Sequence, residues 1–142
     1  MASSRLPEWG ELNSSVDRLL RDRGDDIEFI VLFGSRARGN WSADSDYDVL
    51  IGLRKEDGKR LMDRIYEFSL LVQGNIEVFP YSCGEWKRMF QGRNLLMLEA
   101  LDHGVILFDR GGFQAMRQQF QQWRDAGEVA PSGSGWRIGK AE

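Results

Sequence analysis

Two short apolar runs, separated by a polar segment, constrain the fold of this chain most. They are "IEFIVLF" at residues 27–33 and "YDVLIGL" at residues 47–53. Both are rich in β-branched and aromatic residues and are too short for buried helices, so we predict two strands. Because the runs are close in sequence, they can pair with each other in one sheet.

Further short strands alternate with amphipathic helices along the rest of the chain. Residues 76–81 and 105–109 predict two more strands, and Pro80 marks the end of the first. A turn containing one helical turn is expected from Gly34 to Gly39. Apolar residues at steps of three and four predict further helices over residues 9–20, 61–72, 83–90, 94–101 and 113–123. This order predicts an α/β or α+β domain, with a small mixed sheet of about four strands and helices packed on it.

The chain length and a change of composition predict one domain and a tail. The 142 residues suit a single domain, which we place at residues 1–126. From residue 127 onwards, Gly, Ser and Pro predominate, so we expect residues 127–142 to form a flexible tail or a partner-docking arm. Trp136 is a candidate docking anchor within it.

Charge and cysteine content exclude some classes of function. The net charge is −3 and no long basic block occurs, so direct binding of duplex nucleic acid is not expected, although a local patch could bind phosphates. The single cysteine, Cys83, cannot form an internal disulfide, and we interpret it as an inert thiol. No apolar stretch suits a signal peptide or a membrane span, which predicts a cytoplasmic protein. His103, the only histidine, stands at a predicted helix end, where its charge would complement the helix dipole.

Asp46 and Asp48 lie on either side of Tyr47, where the second predicted strand begins. Residues two apart on a strand point to the same face, so the two carboxylates project together if the strand starts at Asp46. Two such anions are stable as ions only if a cation lies between them or one takes up a proton. Magnesium binds one or two carboxylates together with substrate phosphates. The alternative is that both are solvated turn residues.

The turn after the first strand, Gly34-Ser35, is a candidate anion site. A strand that leads into a Gly-Ser turn presents backbone N–H groups and a hydroxyl, and glycine allows close approach. Arg36 and Arg38 follow, and either could hold a phosphate. A plain strand-to-helix turn with Ser35 as the cap is the alternative. The glycine spacing is not that of a P-loop.

Glu77 lies within the third predicted strand. With a period of two, Ile76 and Val78 face one way and Glu77 faces the other. Either that face is open to water, or a cation or an arginine meets the carboxylate there. A phosphate-binding turn and three carboxylates on neighbouring strands would suit metal-assisted phosphoryl or nucleotidyl transfer.

The segment "GSRARGNWSADSDYDV" resembles the signature of the DNA polymerase β-like nucleotidyltransferase superfamily. In that signature, Gly-Ser is followed after ten residues by Asp-x-Asp, as Gly34-Ser35 is followed by Asp46 and Asp48 here. The Gly-Ser-x-Ala-Arg-Gly form is similar to the minimal nucleotidyltransferases, small domains often found as antitoxins of HEPN-domain toxins. The resemblance implies a nucleotidyltransferase fold over about residues 10–109. The Arg-x4-His motif of HEPN toxins is absent.

The resemblance also implies roles for these residues. Gly34 and Ser35 would hold the nucleoside triphosphate, with ATP as the expected substrate. Asp46 and Asp48 would bind Mg²⁺, two ions in all, and the third carboxylate would be Glu77, as metal ligand or general base. The family often has Asp there, and the longer Glu77 side chain shifts its carboxylate. In a geometry-sensitive site such shifts can cost about 10²-fold in rate.

We therefore hypothesise a Mg²⁺-dependent nucleotidyltransferase that moves AMP from ATP to a hydroxyl of a partner protein, such as a HEPN-domain toxin. One alternative is a non-catalytic module that neutralises its partner by contact alone. Another is a small-molecule transferase that acts on an antibiotic hydroxyl, although such enzymes usually carry a second domain. An exposed sheet edge would allow a homo- or hetero-oligomer.

Overall fold

A four-stranded mixed sheet forms the centre of the molecule. The computed structural model describes residues 10–39, 46–133 and 135–139. The strands are β1 (Ile27–Phe33), β2 (Tyr47–Leu53), β3 (Ile76–Tyr81) and β4 (Val105–Asp109). They lie in the order β3-β2-β1-β4, with β2 parallel to β3 and β1 antiparallel to both β2 and β4. The predicted mixed sheet is confirmed, and its four strands coincide with the four predicted runs.

Six helices surround this sheet in the described part of the chain. They are α1 (Gly10–Arg23), α2 (Ser35–Arg38), α3 (Leu61–Ser69), α4 (Cys83–Gln91), α5 (Leu95–His103) and α6 (Gly112–Asp125). Local side-chain caps fix where α4 and α5 begin. Ser82 and Glu85 form a capping box before α4, and Asn94 accepts a hydrogen bond from the Met97 N–H at 3.1 Å. None of the described helices is long and apolar enough to cross a membrane.

Helices cover both faces of the sheet, which explains why β1 and β2 are apolar at nearly every position. On one face, Ile30, Leu32 and Val49 meet α1 and α3. On the other face, Val31 and Leu50 meet α4, α5 and α6. β3 lies at a sheet edge and alternates between buried and more exposed positions. Burial on two faces therefore places β1 and β2 at the centre of the sheet.

A buried arginine, Arg64, ties the loop before α3 to β3 and α4. It is 1% exposed. It donates two hydrogen bonds to Asp57 at 2.9 Å, one to Glu85 at 2.8 Å, and others to the carbonyls of Pro80 and Lys59. The Arg64 hydrogen bond holds the pKa of Asp57 below its ordinary value. Arg64 therefore joins three chain segments through one fully paired charge.

The described part of the predicted tail has regular structure. It forms two short strands, β5 (Val129–Ser132) and β6 (Gly135–Ile138), which pair as an antiparallel hairpin. Val129 is buried, and the Trp136 ring packs edge-on against Phe120 of α6, with 5.8 Å between the ring centroids. The Gly/Ser/Pro composition gave no strand signal, because this hairpin packs through few apolar side chains. The division into a domain at residues 1–126 and a flexible tail stays a prediction.

Candidate active site

A tight turn at Gly34 connects the end of β1 to the short helix α2. Gly34 has φ 80° and ψ −159°, a backbone conformation that favours glycine. Its carbonyl accepts hydrogen bonds from the N–H groups of Ala37 and Arg38, both at 3.1 Å. A Cβ atom at Gly34 would stand 2.5 Å from Oδ2 of Asp48. The glycine therefore lets the turn approach the carboxylate of the neighbouring strand.

Asp48 and Glu77 are direct neighbours across the parallel pair of β2 and β3. On its other side, Asp48 is paired with Phe33, the last residue of β1. Asp48 is half-buried, whereas Asp46 and Glu77 are exposed. Strand alternation puts Asp48 on the sheet face of Leu50 and sends Tyr47 to the opposite face. The structure thus brings together the Gly34 turn, Asp48 and Glu77 at one end of three adjacent strands.

The electrostatics of this site disfavour the ionised form of Asp48. Burial raises the pKa of Asp48 above its ordinary value, and the negative charges of Glu77 and Asp46 raise it further. A cation between these carboxylates would relieve this repulsion and favour the ionised form. The site therefore has an electrostatic reason to bind a cation.

The donor set of this site suits a hard divalent cation, but the ligands are not gathered. Carboxylate oxygens are the donors that Mg²⁺ prefers. Across residues 10–39, 46–133 and 135–139, no three Asp, Glu, His or Cys side chains lie close enough together to hold a metal ion. Mutual repulsion of the negative carboxylates favours such a separation of their side chains. Asp46, Asp48 and Glu77 fit Mg²⁺ by chemistry, and Asp48 and Glu77 are also register partners. Their side chains would have to draw together to ligate the ion.

The two arginines that follow the turn lie in different surroundings. Arg36 is 8% exposed, and its guanidinium lies 4.2 Å from the centre of the Tyr47 ring, on the sheet face opposite to Asp48. Arg38 is part-exposed and donates from Nη1 to both carboxylate oxygens of Glu99, at 3.2 and 3.0 Å. Arg38 is therefore the better placed of the two to meet an incoming anion. The predicted phosphate contact of Arg36 stays a prediction.

Glu99 was missed by the sequence reasoning. It lies on α5, far along the chain from Arg38, and no motif marks it. His103 is the last residue of α5, as its predicted helix-end position implies, and it lies near Glu99. Cys83 is a partly buried free thiol in the first turn of α4. Residues 40–45 of the sequence signature lie outside the described residues.

Comparison with known proteins identifies a matching family model. The family described as polymerase beta, nucleotidyltransferase, matches residues 15–111 of this chain. No curated protein is significantly similar in sequence. The matched segment includes the Gly34 turn and all three candidate carboxylates.

Several solved structures share the fold. A chain of a toxin–antitoxin complex with AMP-PNP is 16% identical, covers 78% of this chain and 85% of its own length, and gives a TM-score of 0.51. A chain of a mutant MntA–HpeT toxin–antitoxin complex is also 16% identical, covers 85% and 88%, and gives 0.50. A chain from the tri-AMPylated Shewanella oneidensis HEPN toxin in complex with its MNT antitoxin is 16% identical, covers 85% and 94%, and gives 0.43. At these identities the likeness to the first two concerns the fold alone.

Proposed function

Because this chain belongs to the polymerase β nucleotidyltransferase family, we propose that it transfers AMP from ATP, with Mg²⁺, to a hydroxyl of a partner protein. The observation that carries the proposal is the pairing of Asp48 with Glu77 beside the Gly34 turn. This arrangement puts two acidic groups next to a backbone turn that only glycine fits. Nucleotidyl transfer needs both a metal-binding group and room for a phosphate chain at one place.

Asp46, Asp48 and Glu77 would hold Mg²⁺ in this proposal. When bound, Mg²⁺ would neutralise charge on the phosphates and polarise the bond that breaks. The raised pKa of Asp48 supports this role, since burial and two nearby anions leave its carboxylate in need of a cation. Asp48 is held by its position between β1 and β3, so its backbone is fixed before a ligand arrives.

The turn Gly34-Ser35 and the side chain of Arg38 would hold the triphosphate. Gly34 lets the phosphates come close to the backbone, the Ser35 hydroxyl adds a donor, and Arg38 adds a positive charge. ATP is the first nucleotide to test, because a structure with the same fold was solved with AMP-PNP. Arg36 is assigned a supporting role here, since its guanidinium packs against Tyr47.

Glu77 would accept the proton of the acceptor hydroxyl or complete the metal site. It is exposed on β3, an edge strand, so an acceptor from another protein can reach it. The proposed acceptor is a tyrosine or serine of a HEPN-domain toxin, on the basis of the sequence signature and the toxin–antitoxin complexes that share the fold. A hydroxyl activated in this way attacks the α-phosphate, and pyrophosphate leaves.

The decisive experiment combines purified protein, MgATP and the product of the neighbouring gene, with intact-mass spectrometry of both proteins. The expected result is a mass increase of the partner by one or more AMP groups. It should disappear with EDTA and in an Asp46→Asn, Asp48→Asn variant. Asp63→Asn, which changes an exposed aspartate of α3, is the matched control and should retain transfer. CTP, GTP and UTP in place of ATP test the choice of nucleotide.

Neutralisation by contact alone is the second candidate function. It is favoured by the absence, among the described residues, of three gathered metal ligands and by glutamate at position 77. In that case the Asp46→Asn, Asp48→Asn variant would neutralise the partner as well as the wild type does, and no AMP would be added. That pair of results would rule out the catalytic proposal.

A further inference from the structure

Arg38, at the C-terminal end of α2, is held by a carboxylate from a distant part of the chain. Its Nη1 contacts both oxygens of Glu99 on α5, at 3.2 and 3.0 Å. The side chains of Arg38 and Glu99 are 41% and 32% exposed, so solvent and ligands reach the pair. Exposed ion pairs are weak. An anion bound beside the Gly34 turn can therefore compete with Glu99 for Arg38.

His103 offers Glu99 a second partner, one turn further along α5. Its Nε2 lies 3.4 Å from Oε2 of Glu99, close enough for an ion pair but not aligned as a hydrogen bond. Within the described part of the chain, this Nε2 is the one buried side-chain nitrogen or oxygen that lacks a hydrogen-bond partner. A protonated imidazole donates from both ring nitrogens. Protonation would therefore turn an unsatisfied contact into a charge-assisted bond to Glu99.

The other charges around His103 are already engaged. Nδ1 of the ring lies 3.7 Å from Asp102, whose carboxylate is held by Arg124 of α6 at 2.8 Å. Arg117 of α6 donates to the carbonyls of Ala100 and Leu101 in α5 and to that of Gly104, directly after the helix, at 2.8 Å. The charged groups facing the ring are thus Glu99 and Asp102 on α5, Arg117 and Arg124 on α6, and Arg38 through Glu99. Oε2 of Glu99 lies 3.0 Å from Arg38 and 3.4 Å from His103, so the two side chains share one carboxylate.

We propose that Glu99 is a positioning residue that controls Arg38 and that His103 is its pH sensor. When His103 is neutral, Glu99 holds Arg38 and neutralises its charge. When His103 is protonated, the imidazolium shares the Glu99 carboxylate, which weakens its hold on Arg38 and makes Arg38 available to a nucleotide phosphate. Nucleotide affinity therefore rises as the pH falls from 8 to 6. The inference rests on the proposed nucleotide site.

The test measures the Kd of AMP-PNP with Mg²⁺ between pH 6 and pH 8 for the wild type, Glu99→Gln and His103→Gln. Comparison at each pH cancels the protonation of the nucleotide and of the metal-binding carboxylates. The wild type should bind about two- to fivefold more tightly than His103→Gln at pH 6 and equally at pH 8, since only one exposed ion pair is weakened. Glu99→Gln should bind more tightly than the wild type at pH 8, because its Arg38 is free.

The control variant is Glu67→Gln, which removes a comparable ion pair with Lys59, 2.7 Å long, on α3. It should match the wild type at every pH, and circular dichroism should show all variants folded. The inference is overturned if His103→Gln keeps the wild-type pH profile, or if Glu99→Gln weakens binding at pH 8. No AMP-PNP binding by the wild type at any pH would instead refute the proposed nucleotide site, and the inference with it.

Discussion

Replacing Gly34 by alanine is expected to disturb the candidate site as well as the fold. The added Cβ would lie 2.5 Å from Oδ2 of Asp48, and Cβ atoms in proteins essentially never come within 3.0 Å of another heavy atom. The Asp48 carboxylate must therefore move by at least about 0.5 Å. In the proposed metal site, a displacement approaching 1 Å can cost about 10²-fold in activity.

The loss of stability in Gly34→Ala has two terms. The backbone conformation of Gly34, φ 80° and ψ −159°, is adopted almost only by glycine and costs another residue about 1–3 kcal/mol. The overlap with Asp48 adds about 1–3 kcal/mol, as other overpacked sites do. Gly58 supplies the matched control, because it has φ 70° and nothing within 4 Å of an added Cβ. Gly58→Ala should lose stability through its positive φ only, without an overlap term.

Urea unfolding followed by tryptophan fluorescence measures these differences. Gly34→Ala should lose about 1–3 kcal/mol more than Gly58→Ala. The double variant Gly34→Ala, Asp48→Ala should not show this additional loss of stability, because the overlapping carboxylate is gone. Equal losses in Gly34→Ala and Gly58→Ala, with no recovery in the double variant, would refute the close approach of the turn to Asp48.

Four further predictions follow from the same structure. Arg64→Met should lower the free energy of unfolding by about 3–5 kcal/mol, because it leaves two carboxylates without their buried partner. In the same urea titration, Arg60→Met, which removes an exposed ion pair, should change it by less than about 1 kcal/mol. The pKa of Asp57 is lowered in the folded protein, so ionised Asp57 stabilises the fold at neutral pH, and this stabilisation is lost as the pH falls below its ordinary pKa of 3.8. The Tm of Asp57→Asn should therefore fall less than that of the wild type over this acid range. Asp48→Asn should raise the Tm of the metal-free protein at pH 7, because it removes a partly buried charge beside two anions, and added Mg²⁺ should narrow the difference. Trp136→Ala should lower Tm by several degrees through lost packing on α6, and an unchanged Tm would mean that the hairpin contributes nothing to stability.

Much of the fold could be predicted from the sequence, because a strand that is buried on both faces needs apolar residues at nearly every position. β1 and β2 show this pattern and were found at their predicted bounds. Glu77 could be placed on the opposite face from Ile76 and Val78, because alternation is a local property of the chain. The hairpin after α6 left no such signal, since its strands are short and its apolar contacts with Phe120 are tertiary.

The sequence by itself determined which groups the candidate site contains: a Gly-Ser turn after one strand, two aspartates around the start of the next, and a glutamate in a third. Tertiary structure alone decided that Asp48 and Glu77 are neighbours, because that requires β2 and β3 to run parallel in one register. It also decided that Arg38 meets Glu99 and that Arg64 is buried. The period of a strand is set by its own backbone, whereas the partner of a charge depends on how distant segments pack.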